Sequence, residues 1–339
     1  MPHLHLRHDL DAHALHQITE LLDETTELEG HAPIGEHKMA HLTVGAKDWD
    51  GILAYSSPHA DDEHSTSAED RLIGYAHLRW NAAGADPRLA VEVVVHPHHR
   101  EEGIQARLLD ATRTTVARAG GGRMFLWVHR VTKPEDTLAH AMGFDVQRQL
   151  AYMRREVEPI PDVADPPDGV VIRTYRGPED NRAFLEVNNA AFEGHPENGG
   201  WSAEELEHRR GFPWFDPAGL FMAFRQNPDG SEGEPLGFHW TKWHSHPDEE
   251  PHPPLGEVYV LAVHPRTQGL GLGRLLLRTG IRHLATRSDS IVLYVDCAST
   301  GPVALYESEG FETQYREVCF VDDVEAARAT TRALLRPAG

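Results

Sequence analysis

Three glycines on alternate positions, Gly269, Gly271 and Gly273, separate an apolar run ending "VLAVHP" from a leucine-rich one in "HPRTQGLGLGRLLL", 264–277. A strand that passes through such a turn into a helix presents backbone N–H groups with no intrahelical partner, and the helix dipole adds positive potential there. Glycine removes the Cβ that would hold an anion away, so the turn has the chemistry of a pyrophosphate cradle. No Gly-Lys-Ser/Thr closes it, which excludes a P-loop. Glycines two apart, late in their half of the chain, also lack the spacing of a dinucleotide fingerprint. A second stretch, "HPHHREEGIQARLL", 96–109, keeps the rhythm with a single glycine, Gly103, and sets Glu101 and Glu102 where phosphate would approach. Like charges at that spot weaken anion binding.

The two turns belong to a longer repeat. A shift of 168 residues lays Val95-His96-Pro97 on Val263-His264-Pro265, Arg100 on Gln268, Gly103 on Gly271 and Leu108 on Leu276. "MGF" at 142–144 meets "EGF" at 309–311 one residue out of step, and a spacing shared over so long a stretch indicates tandem duplication. Between the copies, "EVEPIPDVADPPDGV", 156–170, is rich in proline and acid and reads as a linker. The expected domains are 1–155 and 171–325, with a tail at 326–339.

Each half reads as helix, strands, a central strand running into a helix, then strand, helix and strand. "LAVEVVVH" and "GEVYVLAVH" are the central strands, "GIQARLLDATRTTVARA" and "GLGRLLLRTGIRHLAT" the helices that follow. Short strands mixed with helices around one sheet predict an α/β class, with an α+β mixed sheet, in each half.

Composition narrows the partners. The chain has 339 residues and a net charge of −21, which argues against nucleic-acid binding and leaves a small-molecule substrate. No run reaches the ~18 apolar residues of a membrane span, and the opening lacks a signal-peptide core, so no membrane association and a cytoplasmic location are expected. Two cysteines, Cys297 and Cys319, make no disulfide framework. Histidine is abundant at 24, but His239, His244, His246 and His252 fall in no metal-ligand pattern, so no metal is expected. Lysine occurs only at Lys38, Lys47, Lys133 and Lys242, which makes each of them conspicuous. A monomer is expected.

Gln268-Gly269-Leu270-Gly271-Leu272-Gly273 resembles the Q/R-x-x-G-x-G/A signature of the GNAT acyltransferases, with "ALYESEGF", 304–311, following where that family has a helix and a last strand. Both halves are similar to GNAT domains, which implies acetyl-CoA as co-substrate. In the first half the signature is degraded to Arg100-Glu101-Glu102-Gly103-Ile104-Gln105. Acetyl transfer to an amine needs a proton acceptor, donors for the developing oxyanion and a proton for the departing thiolate. Glu257 on the central strand can be the acceptor and Tyr306 on the last helix the donor. A backbone N–H near Leu261 would meet the carbonyl. Regular alternation would put Glu257, Tyr259 and Leu261 on one face. Under the repeat, Glu257 falls on Leu89 and Tyr306 on Ala139, so only the second half carries both proton carriers.

The second half more specifically resembles the mycothiol synthases, tandem GNAT enzymes of actinobacteria, through "NNAAFEGHPENGGW" (188–201), "WFDPAGL" (214–220), "GFHWTKWH" (237–244), "GEVYVLAVHP" (256–265) and "LYVD" (293–296), with "HAPIGEH" (31–37) in the first half. That family acetylates the cysteinyl amine of a cysteine–glucosamine–inositol conjugate. The resemblance implies substrate contacts by Glu36, Glu197, Lys242, Glu257 and Tyr294. It implies coenzyme contacts by Leu261, Ala262 and Val263, by Gln268, Gly269, Leu270, Gly271, Leu272, Gly273 and Arg274, and by Ser299, Thr300, Gly301, Pro302, Val303 and Ala304. A second, degraded coenzyme site would use Val93, Val94, Val95, Glu101, Glu102, Gly103, Ile104, Gln105 and Ala106. Ser299 stands where the family commonly has Asn, and Pro302 enters the helix in its first turn, where proline is tolerated. Another amine acceptor (an aminoglycoside, a polyamine or a protein N-terminus) and a non-catalytic acyl-CoA sensor are the alternatives.

Overall fold

Helix α1 (Ala12–Glu29) starts where the Asp11 carboxylate accepts the Ala14 N–H at 2.8 Å and stops at Gly30, whose φ of 71° ends the helix in the left-handed region. Its apolar stripe, Ile18, Leu21 and Leu22, is buried against Leu53, Tyr75 and Val94. These strand residues belong to β2 (Trp49–Tyr55), β3 (Leu72–Asn81) and β4 (Arg88–Val95). A computed structural model describes residues 2–8, 10–30, 33–34, 49–56, 71–81, 88–194, 198–244, 255–267 and 269–327. It divides into two compact units, one formed by Met1–Gln149 with Arg316–Gly339 and the other by Leu150–Tyr315.

In the first unit, β1 (His3–Arg7), β2, β3 and β4 run antiparallel in that order, and β5 (Gly122–Val131) lies parallel to β4. Helix α2 (Ile104–Arg118) makes the crossover and buries Ile104, Leu108, Leu109 and Val116 on the face opposite α1. The short α3 (Leu138–Ala141) follows β5.

The second unit repeats this order. Strands β7 (Val170–Thr174), β8 (Leu220–Gln226), β9 (Glu232–Trp243) and β10 (Leu255–Val263) are antiparallel, and β11 (Ser290–Asp296) is parallel to β10. Helices α4 (Asn181–Ala191) and α5 (Ala203–Arg210) pack on one face through Phe184, Val187 and Leu206. On the other face, α6 (Leu272–Leu284) buries Leu276, Leu277, Ile281 and Leu284, each worth roughly 1.5–3 kcal/mol when fully enclosed. Helix α6 approaches β9 closely, since a Cβ at Gly280 would come within 2.0 Å of His239 Cε1. Helix α7 (Thr300–Ser308) follows β11.

The two compact units do not follow the two halves of the repeat. Residues Leu150–Glu156 of β6 (Asp145–Glu156), the last strand of the first half, pair with β11 in the second unit. Residues Arg316–Val324 of β12 (Glu312–Val324), the last strand of the second half, pair with β5 in the first unit. Each unit thus includes a strand segment from the other copy, which is why a boundary drawn at a proline-rich linker does not separate the units. Among the described residues no helix is long and apolar enough to cross a membrane.

Candidate active site

Strand β10 carries two irregularities that matter for chemistry. Its pairing with β11 runs from Leu255/Ser290 to Glu257/Val292 and ends there, so the strands part immediately beyond Glu257. Against β9 the register shifts by one residue at Tyr259, with Val258 facing Thr241 and Val260 facing Trp240. That extra residue is a β-bulge, a device that re-aims side chains beside functional sites. It overturns the expectation that Glu257, Tyr259 and Leu261 share a face. Tyr259 packs in the cluster beneath α4 and α5, whereas Leu261 joins the apolar side chains beneath α6. The bulge also corrects the repeat: counted from Val95 and Val263, the extra residue makes Glu257 equivalent to Ala90 rather than Leu89, and the pairs Ala90/Phe125 and Glu257/Val292 then coincide.

Glu257 is nearly enclosed, with a side-chain exposure of 11%, and its Oε2 lies 2.7 Å from His244 Nε2 and 3.7 Å from Lys242 Nζ. Lys242 faces Glu257 across the β9–β10 ladder, and its Nζ lies over the rings of Trp214 at 5.1 Å and Tyr259 at 5.8 Å. Arg209 of α5 donates to the Tyr259 hydroxyl at 2.9 Å and lies over Trp201 at 4.1 Å. Tyr294, two residues beyond the Val292 that pairs with Glu257, is half exposed on the same face. Tyr152 of β6 packs on it at 5.1 Å and stacks on Tyr315 at 4.4 Å. Lys242, Glu257, Tyr294 and Tyr152 therefore line one face across four adjacent strands. A cation, a carboxylate and aromatic walls in that order suit a ligand that carries an ammonium and a hydroxylated ring. Glu36 and Glu197 lie outside the described residues.

Sequence reasoning missed Tyr152 and the pairing of His244 with Glu257. Alternation along "FHWTKWH" places Trp240, Lys242 and His244 on one face and was the available signal for His244. Nothing in the sequence pointed to Tyr152, because its strand was assigned to the first half.

Gly271, with φ 73°, caps α6, and Gly269 has φ 88°; a Cβ at either would enter open space. Both conformations favour glycine, and the open space is what a phosphate needs. Gly273 has a different task, since its Cβ would touch Leu305 and Val263 at 3.6 and 3.7 Å, so it seats α6 against its neighbours. Leu272 and Ala262 are buried, which leaves only their backbone for a ligand, while Leu270 is exposed and Val263 is half-buried. Arg274 pairs with the buried Glu309 carboxylate, which Arg278 also holds at 2.8 Å. Gln268 lies outside the described residues. Ser299 precedes α7 without capping it through its side chain, and Thr300, Gly301, Pro302 and Ala304 are exposed around the half-buried Val303.

Tyr306 is 8% exposed, edge-on to Phe311, in the cluster beneath α6 that Leu261 also joins. Burial pushes its phenol well above the usual tyrosine range, so it stays protonated. Glu257 opens on one side of the sheet and Tyr306 sits on the other, with the parting of β10 and β11 between them. Glu257 and Tyr306 thus lie on opposite sides of the sheet at the place where β10 and β11 part.

Residues 182–311 match the acetyltransferase (GNAT) family. Over nearly the whole chain the sequence is 39% identical to the mycothiol acetyltransferase of Mycolicibacterium paratuberculosis, with 91% of this chain and 94% of the relative covered. It is 40% identical to that of Mycobacterium marinum, with 88% and 90% covered. The chain belongs to the mycothiol acetyltransferase family. A tandem GNAT protein of the clavulanic acid pathway has the same fold, with a TM-score of 0.64 at 16% identity over 96% of this chain and 100% of its own.

In this family member the first unit keeps the strand order and crossover helix of the second, with Ala90 at the position of Glu257. Strands β4 and β5 part beyond Val91/Leu126, and a cleft of about 370 Å³ opens there, lined by Val93, Val94 and Val95 on one side and Leu126, Trp127 and His129 on the other. Gln105 and Arg100 also line it, but Arg100 is held by Glu29. Gly103, with φ 69°, caps α2 as Gly271 caps α6. Ile104 is fully buried, Ala106 half-buried, and Glu101 and Glu102 exposed, with Glu102 bonded to His99 at 2.7 Å. The β3–β4 register has no bulge. Where Val260 and Trp240 face each other in the second unit, Glu92 and His77 do so here. Glu92 approaches His129 Nε2 at 3.8 Å, and Glu317 bonds its Nδ1. Burial alone would lower His129, but the two carboxylates outweigh it and hold it at about 9.

Proposed function

We propose that this protein transfers the acetyl group of acetyl-CoA to the cysteinyl amine of a cysteine–glucosamine–inositol conjugate, the last step of mycothiol biosynthesis, and that the second unit does the chemistry. Near-full-length identity to mycothiol acetyltransferases supports the substrate. The observation that carries the mechanism is Glu257, the last paired residue before β10 and β11 part.

Glu257 accepts a proton from the acceptor's ammonium, directly or through a water, and leaves a nucleophilic amine. Lys242 and the faces of Trp214, Tyr294 and Tyr152 orient the hydroxylated rings, joined by Glu36 and Glu197. The coenzyme's pyrophosphate fits the N–H groups of Gly269–Arg274, and its pantetheine the backbone of Leu261–Val263, with Ser299–Ala304 along the other side. N–H groups at the bulged stretch of β10 stabilise the charge that develops on the carbonyl oxygen as the C–N bond forms. As the C–S bond breaks, Tyr306 protonates the sulfur. Burial that raises the phenol also raises the thiol it serves, which keeps the transfer matched. The first unit serves as a second, weaker coenzyme site through Val93–Val95 and Glu101–Ala106. The protein acts as a cytoplasmic monomer.

Incubation with acetyl-CoA and the cysteinyl conjugate tests the reading, with the N-acetylated thiol as the expected product by mass spectrometry. An aminoglycoside, a polyamine and a peptide N-terminus run alongside; equal turnover of all four acceptors would overturn the substrate assignment.

A further inference from the structure

Acetylation of an ammonium by a thioester releases one proton per turnover. The nitrogen gives up two, the sulfur takes one, and the other must leave the site. Glu257 is almost enclosed, at 11% side-chain exposure, whereas its hydrogen-bond partner His244 is 35% exposed. Among the described residues, the groups that face the pair are Lys242 on β9 and Tyr259 on β10, with Arg209 of α5 committed to the Tyr259 hydroxyl. An ammonium and a guanidinium offer donors and no acceptor, and the Tyr259 hydroxyl oxygen already accepts from Arg209, so none of them offers Glu257 a place to pass its proton.

We infer that His244 is the positioning residue and proton outlet of Glu257, a role that rests on the acetyl-transfer reading above. After Glu257 has taken a proton from the ammonium, its carboxylic acid passes that proton to Nε2 of His244, 2.7 Å away. The imidazolium releases its Nδ1 proton to water and keeps the Nε2–H, which donates to the restored Glu257 carboxylate; once Glu257 is protonated again, exchange with solvent moves the imidazole proton to Nδ1 and frees Nε2 for the next transfer. Glu257 is again a carboxylate for the next acceptor. Between turnovers, the same hydrogen bond fixes which carboxylate oxygen faces His244 and leaves the other for the substrate.

His244→Ala and His244→Gln are assayed with acetyl-CoA and the cysteinyl conjugate, with folding checked by circular dichroism. The expected result is a kcat lowered by about ten- to hundredfold in both variants, the range of groups that act through another residue, with the KM for acetyl-CoA unchanged. Imidazole added to the buffer should restore His244→Ala toward the wild-type rate, because it can both fit the space and carry the proton. Glutamine, which keeps a hydrogen bond but cannot relay, should stay slow. Wild-type kcat in His244→Gln, or no rescue of His244→Ala by imidazole, overturns the outlet. Failure of the wild-type protein to turn over the conjugate defeats the acetyl-transfer reading itself, and the inference with it.

Discussion

The two units share strand order, crossover helix and parted central strands, yet they fill the gap differently. In the second unit a bulge at Tyr259 turns β10, and Glu257 stands at the last pair with Lys242 and His244 around it. In the first, β4 is regular, its equivalent position is Ala90, and the polar groups near the gap, Glu92, His129 and Glu317, bond one another. A duplicated frame therefore does not keep a site by keeping its topology. What sets the second unit apart is one extra residue in a strand and a carboxylate, Glu257, at the last pair before the strands part.

The comparison breaks most decisively at Glu257 and Tyr306. Glu257→Gln should lower kcat by roughly 10²–10⁴-fold, the usual worth of a general base, with little change in KM for acetyl-CoA. Tyr306→Phe should act in the same direction. Steady-state rates for both, under saturating acetyl-CoA, check the assignment. Turnover above a tenth of wild type in both variants together would move catalysis away from this unit.

A smaller effect separates the units by pH. His239 is fully buried in the second unit, its Nδ1–H bonded to the Leu276 carbonyl at 2.8 Å, and burial pushes it down to about 4. The folded state then binds fewer protons than the unfolded chain, so this contribution is present above pH ~6.5 and is lost as pH falls toward 4, on the order of 2–3 kcal/mol. His129 in the first unit is held at about 9 and works oppositely: its contribution is present below pH ~6.5 and is lost as pH rises through 9. Urea unfolding from pH 4 to 10 should show both limbs. His239→Gln should flatten the acid limb and His129→Gln the alkaline one, and a substitution that moved the wrong limb would contradict these environments.

Much of the fold is legible in the sequence. The glycine turn, the central strands and the crossover helices all carry local signals of period, spacing or residue type. The bulge carries none, because "VYVLAV" is apolar throughout and offers no alternation that an extra residue could disturb. Strand exchange was invisible for another reason. β6 and β12 both read as the closing strand of their own half, and periodicity says that a segment is a strand without saying which sheet it enters. Tyr152 follows β6 into the second unit, which its place in the first half of the sequence does not reveal. The early strands β1 and β7, five residues each, were too short to read with assurance.

The finest test concerns the glycine turns. Gly271 and Gly103 cap their helices with nearly the same geometry, φ 73° and 69°, and neither has a neighbour within 4 Å where a Cβ would stand. Alanine at either position strains the left-handed turn and intrudes into the space a phosphate would fill. If the second unit's turn is the working cradle, Gly271→Ala should weaken acetyl-CoA about tenfold, near 1.4 kcal/mol, in the tighter class of sites and raise KM by the same factor. Gly103→Ala should weaken only a looser class, already handicapped by Glu101, Glu102 and the tethering of Arg100 by Glu29. Isothermal titration of both variants resolves the two classes, and a KM that rises with Gly103→Ala but not with Gly271→Ala would reverse the roles of the units.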